Sequence, residues 1–115
     1  MRIRRGDLFW VDLNPVKGSE QAGRRPVVVI QNDVGNEAAP TVIVAPLTTK
    51  SFTKHYPINV HIPQGIAGLQ ENSTILLSQI RTLDKTRLDS KIGHLPPAYL
   101  KQVDQAIRIS LGLTL

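Results

Sequence analysis

Two short runs constrain this chain more than any other feature. VVVI, residues 27–30, and TVIVAPL, residues 41–47, are apolar at successive positions and rich in β-branched side chains. They are too short for buried helices and apolar on both faces, which suits strands at the centre of a sheet. Pro26 stands where proline is tolerated, at the first position of a strand. Asn32-Asp33 and Gly35-Asn36 read as the turn that closes the first run, so the second returns beside it as an antiparallel partner. Within that partner Pro46 predicts an edge or a bulge.

The rest of the chain repeats the theme of short apolar segments separated by proline and glycine. Leu8 to Leu13 forms a first strand, ended by Asn14-Pro15-Val16-Lys17-Gly18 and followed by a loop to Arg24. Ile58, Val60 and Ile62 alternate with Asn59 and His61, the period of a half-buried strand, which turns His61 to solvent. Ser73 to Ile80 reads as one strand, Asp84 to Leu88 as a single helical turn, and Lys91 to Leu95 as a last strand. Only the end has helical period. Pro96 and Pro97 suit a first turn, and Leu100, Val103, Ala106, Ile107 and Leu111 fall on one face, with Lys101, Asp104, Gln105 and Arg108 on the other. Asp104 and Arg108 are spaced to pair along that helix. The pattern is mainly β with a C-terminal helix, and a small antiparallel β-barrel is the form expected. At 115 residues the chain makes one domain, 1–115.

Charge narrows the function. The formal net charge is +5 and the sequence pI is about 10.0, a bias toward polyanions. Its distribution is uneven: no carboxylate occurs between Glu37 and Glu71, a segment that carries Lys50, Lys54, His55 and His61. No run is long enough to cross a bilayer, and the basic N-terminus meets Asp7 before any long apolar region, so neither a membrane segment nor a secretory signal is expected. The cytoplasm is the expected compartment. Cysteine is absent, which removes disulfides, thiol nucleophiles and thiolate metal sites together.

Among catalytic chemistries, few remain. The three histidines, at 55, 61 and 94, lie far apart with no carboxylate spaced to join them, so no resident metal or cofactor is expected. Nucleophile elbow, P-loop and dinucleotide fingerprint are all missing. What is left is arginine and hydroxyl chemistry, and it suits phosphate: a guanidinium offers paired N–H donors to two oxygens, and a threonine hydroxyl can donate to a third. If the strand begun by Pro26 and the strand ending at Leu47 are antiparallel neighbours, Arg25 and Thr48 lie at the same edge of the sheet. The spacing also allows Arg25 to pair with Glu20 across the loop while Thr48 merely ends a strand, and the pattern of residues does not decide between the two.

GDLFWVDLNPVKGSEQAGRRPVVVIQND, then PTVIVAPLT, then STILLSQIRTLDKTRL and the closing helix together resemble the MazF/PemK family of toxin endoribonucleases, over about Arg5 to Leu111. The resemblance implies an SH3-like barrel, a homodimer, an acidic MazE-like antitoxin as partner, and sequence-specific, metal-independent cleavage of single-stranded messenger RNA. It implies attack by a ribose 2′-hydroxyl on its own phosphate, leaving a 2′,3′-cyclic phosphate and a 5′-hydroxyl. The family's catalytic pair falls here on Arg25 and Thr48. Glu20, Gln21 and Arg24 on the first loop, Thr49 and Lys54 on the second, and Ser73 and Gln79 near the last long strand are candidates for holding bases and phosphates. His55 is a local rival for the general base, since imidazole is the side chain most often used to take a proton in catalysis.

Two other classes compete. One is a non-catalytic barrel that holds nucleic acid through the same basic surface, which leaves long RNA intact. The other is a CcdB-like poison of DNA gyrase; those toxins end in a tryptophan-containing tail, whereas the one tryptophan here is Trp10 and the chain ends Gly112-Leu113-Thr114-Leu115.

Overall fold

The computed structural model describes residues 2–113. Seven strands form one strongly bent antiparallel sheet: β1 (Asp7–Asp12), β2 (Arg24–Val29), β3 (Thr41–Thr48), β4 (Asn59–Ile62), β5 (Ser73–Leu76), β6 (Arg81–Asp84) and β7 (Lys91–His94). Their order is β4-β5-β3-β2-β1-β7, with β6 on β3. The two valine-rich runs lie side by side at the middle, as their two-faced apolar pattern requires.

The longest strand, β3, shapes the barrel. Its first half, Thr41 to Val44, pairs with β6, and its last two residues, Leu47 and Thr48, pair with β5. Pro46 falls in the gap between those two ladders. A proline there gives up no bond to either strand, so it sits in a central strand rather than at the edge or bulge that its chemistry predicts in isolation. Strand β2 covers the other side of β3 through Val27–Pro46, Val28–Ala45 and Val29–Val44.

Alternation along these strands divides the interior into two cores. Leu8, Val28, Ala45, Leu47 and Ile75 pack on one side with Val103 and Ala106 of the C-terminal helix. Phe9, Val11, Val27, Val29, Val42 and Val44 pack on the other with Leu13 and Leu83. At roughly 1.5–3 kcal/mol for each fully buried aliphatic side chain, these clusters supply most of the drive to fold. Helix α2 (Pro97–Ser110) lies against β4. Val103 and Ala106 are its buried positions, whereas Leu111, expected on the same stripe, lies just beyond the helix and is exposed.

Three local readings change. Asp33 to Ala38 is a short helix, α1, where Asn32 caps the Gly35 amide, rather than a plain turn. The segment read as one strand from Ser73 to Ile80 ends at Leu76; the chain turns at Leu77–Gln79 and starts again as β6. Asp104 pairs with Arg5 at 2.7 Å instead of with Arg108, because α2 crosses the N-terminal segment and brings a longer-range cation within reach.

One polar group is wholly enclosed. Asp7, at the start of β1, accepts the Arg4 amide (2.8 Å), meets His94 Nδ1 (2.8 Å) and lies 3.3 Å from Lys91 Nζ. Burial pushes its carboxyl up, and the Arg4 amide, His94 and Lys91 together outweigh that and hold it below the ordinary aspartate value. It ties the N-terminal segment, β1 and β7 into one unit.

Candidate active site

The site grows out of the pairing of β2 with β3. Extending their register by two residues beyond Val27–Pro46 sets Arg25 against Thr48. Both side chains then belong to the face that holds Val27, Val29, Val42 and Val44. Arg25 Nη1 donates to the Leu47 carbonyl at 3.1 Å and Nε donates to the Ala22 carbonyl at 2.8 Å. The guanidinium is therefore pinned between the loop before β2 and the end of β3. Two of its five donors are used, and the others have no protein partner among the described residues. Glu20 is not its counter-ion: that carboxylate accepts the Lys17 amide at 2.6 Å, within its own loop.

Thr48 is nearly buried, and its hydroxyl oxygen accepts the Lys50 amide at 3.2 Å. With the oxygen engaged in this way, the hydroxyl proton remains free to donate outward. A half-buried cation with unspent donors beside a hydroxyl proton is an arrangement that can hold two oxygens of a phosphate diester and neutralise charge that builds on them.

The same register carries the row further. Thr48 pairs with Thr74 on β5, and Thr74 pairs with His61 on β4. Arg25, Thr48, Thr74 and His61 thus form one line across four strands. Residue types along each segment do not reveal that Thr74 and His61 join this row. Parity was the available signal: Thr74, not Ser73, shares a face with Thr48 once β3 and β5 are aligned. His61 is exposed, as its alternation predicted.

Three hollows surround this line, and the proposed recognition residues divide among them. Glu20, Gln21 and Gln79 line one with Pro46, Ile80 and Arg81. Here Gln79 is tied to the first loop, accepting the Gln21 amide at 2.7 Å and donating weakly to the Ser19 carbonyl at 3.4 Å. Thr49 and Lys54 line a second hollow together with His55, His61 and Thr74. Ser73 lies in a third, with Thr49, Trp10 and Pro26, and its hydroxyl donates to the Glu71 carbonyl at 3.0 Å.

Arg24 is set apart from Arg25. One residue earlier on β2, it belongs to the opposite face, where it pairs with Asp89 at 2.9 Å and lies 4.7 Å over the Trp10 ring. The two adjacent arginines, identical by composition, are separated by the strand period.

The fold and this edge define a class: a small antiparallel half-barrel that presents an arginine with unspent donors and a threonine at a strand end, beside a cationic, carboxylate-free loop. Comparison with known proteins makes the class definite. Residues 4–111 match the description of a PemK-like, MazF-like toxin of type II toxin-antitoxin systems, and the chain belongs to that family. It is 50% identical over 113 residues to endoribonuclease EndoA of Bacillus subtilis (strain 168), covering 98% of this chain and 97% of that protein. Among solved structures, MazF from Deinococcus radiodurans superposes with a TM-score of 0.82 at 26% identity, over 97% of this chain and 98% of that one. The MazE-MazF complex from the same organism gives 0.77 at 27% identity, over 99% of both chains.

Proposed function

We propose that this protein is an endoribonuclease toxin that cuts single-stranded messenger RNA at specific sequences without a metal, by attack of a ribose 2′-hydroxyl on the adjoining phosphate. A 2′,3′-cyclic phosphate and a 5′-hydroxyl are left. The observation that carries the reading is the seat of Arg25, held by the Leu47 carbonyl directly beside Thr48 with its remaining donors unspent. The identity to an endoribonuclease over almost the whole chain supports the same reaction class.

Charge on the phosphoryl oxygens rises as the fifth oxygen approaches phosphorus. The Arg25 guanidinium stabilises that charge and hydrogen-bonds the departing 5′-oxygen, and the proton given up by the 2′-hydroxyl passes through solvent water to that oxygen. Thr48 orients a phosphoryl oxygen through its hydroxyl. Among the described residues no three His, Asp or Glu side chains cluster to hold a metal ion, so charge stabilisation falls to the guanidinium.

Around this pair, Glu20, Gln21 and Gln79 face one side of the bound strand and Thr49 and Lys54 the other, while Ser73 lies a face away, in the third hollow. Arg24, paired with Asp89 on the opposite face, stands apart from the bound strand. A second copy of the chain and an acidic antitoxin complete the assembly, and the MazE-MazF complex supports the latter partner. An acidic chain covers the cationic loop by the charge complementarity that draws RNA to it. The reaction belongs in the cytoplasm, where messenger RNA is made and read.

The test is cleavage of one defined RNA in EDTA, with end-group mapping, by the native protein, Arg25→Ala and Thr48→Ala. Loss of at least a hundred-fold in Arg25→Ala and a smaller loss in Thr48→Ala is expected. An Arg25→Ala protein that still cuts, or cutting abolished by EDTA, overturns the mechanism. RNA bound but left intact by the native protein points instead to a binding module.

A further inference from the structure

The loop between β3 and β4 carries two aromatic rings that no core uses. Phe52 and Tyr56 are 37% and 44% exposed, with centroids 6.2 Å apart and ring planes at 80°. Lys50 Nζ lies 5.5 Å from the Phe52 centroid. These rings roof the second hollow, a cavity of about 450 Å³ floored by Thr74 of β5, Asn59 and His61 of β4, and Gln102 of α2. Asn59 and Gln102 make no side-chain hydrogen bond among the described residues, so both amides are free to read the edge of a guest.

We propose that this hollow is a base-binding subsite, which takes one unstacked nucleobase flanking the cleaved phosphate. The inference rests on the endoribonuclease reading and extends it. Each of its parts meets one requirement of single-stranded RNA. Planar rings give a base its stacking surface, amides offer paired donor and acceptor atoms to its edge, and lysines meet the adjoining phosphates. Lys50 and Lys54 supply those charges from the same loop, in a stretch of sequence with no carboxylate from 38 to 70.

The placement supplies the register. Thr74 on the floor is the β5 partner of Thr48, and His61 is the β4 partner of Thr74. With neighbouring strands about 4.8 Å apart, the hollow begins one strand from Thr48 and ends two strands away. A nucleotide seated there is joined to the reacting phosphate by a short length of extended backbone. Stacking is tolerant of base identity, so the choice among bases falls to Asn59 and Gln102, with Phe52 and Tyr56 setting affinity.

The experiment uses a defined RNA whose cut site has been mapped, and a series of the same RNA with an abasic residue at each flanking position in turn. Phe52→Ala and Tyr56→Ala are each expected to lower kcat/KM about ten-fold on the intact RNA. One abasic position is expected to bring the native protein down to the variants' rate, and to cost the variants nothing further. Asn59→Ala is expected to change which base is preferred at that position alone. Phe52→Trp keeps a stacking surface and is expected to retain cleavage.

Variants that cut every RNA in the series at the native rate overturn the subsite. So do variants that cut normally but no longer bind an acidic peptide, which assigns the hollow to a protein partner. Neither result touches the role of Arg25. Undiminished cleavage by Arg25→Ala in the same series sinks the underlying reading instead, so the two failures are told apart.

Discussion

Replacing Gln79 with alanine tests how far the seat of Arg25 depends on the first loop. The side-chain oxygen of Gln79 accepts the Gln21 amide at 2.7 Å, and the next residue, Ala22, offers the carbonyl that holds Arg25 Nε. Removing the amide frees the loop between Gly18 and Gly23, two glycines with positive φ and open space around them. A partly buried hydrogen bond of this kind contributes about 1 kcal/mol net, and the 3.4 Å contact to Ser19 adds little. The open loop then gains roughly five-fold in population relative to the closed one. Amide exchange at Gln21 should speed up by about that factor, and cleavage should fall several-fold, with the melting temperature lowered by no more than about 4 °C. Gln79→Glu, which keeps an acceptor for the Gln21 amide, should retain the slow exchange. The decisive comparison is made in an Arg25→Lys background: if Gln79 acts through Arg25, adding Gln79→Ala costs little more. Losses that multiply fully refute the reasoning and place Gln79 directly on the RNA.

Two stability predictions follow from the frame. Asp7→Asn removes the enclosed carboxylate that holds Arg4, Lys91 and His94, whose partial exposure softens the penalty; about 2 kcal/mol is expected, a fall of roughly 8 °C in a thermal melt. Because the folded carboxyl titrates below its unfolded value, its contribution is complete above the ordinary 3.8 and disappears as pH falls through the folded value, so acid unfolding of Asp7→Asn should be shallower over that range. At Gly93 an added Cβ would lie 2.1 Å from the Ala67 carbonyl oxygen, a backbone atom held by its own turn. Gly93→Ala should cost about 3 kcal/mol in urea unfolding, and a native-like midpoint contradicts the close approach.

How much of the fold was legible depends on where the signal lay. Strands with strong local pattern were plain: the valine-rich β2, the apolar β3, the alternating β4 and the proline-started α2 each carry their own period. Strand β6 was invisible because Arg81-Thr82-Leu83-Asp84 buries only Leu83, and its strand character comes from pairing with Thr41–Val44 rather than from its composition. Helix α1 hid behind Asn32-Asp33 and Gly35-Asn36, which read as turn chemistry but here cap a six-residue helix and bury Asn36 against Gln31. Both misses share a cause. Each is joined to residues far along the chain, β6 to Thr41–Val44 and α1 to Arg5 and Lys85, which hold Asp33 and the Asn36 carbonyl.

The site was legible to the same extent and for the same reason. Arg25 and Thr48 could be placed together from two strongly patterned strands, since antiparallel neighbours bring the start of one to the end of the next. Their separation from Arg24 follows from parity alone, yet no statement about Asp89 and Trp10 could be made before those partners were in place. The row continues through Thr74 to His61 because β3 changes partner at Pro46, leaving β6 for β5, and that crossover has no signature in residue type. Proline sits in the two-residue gap, Ala45–Pro46, between the ladder to β6 and the ladder to β5. The residue that looked like an interruption of the strand therefore marks where its two halves part. The first half completes the barrel wall, and the second carries Thr48 out beside Arg25.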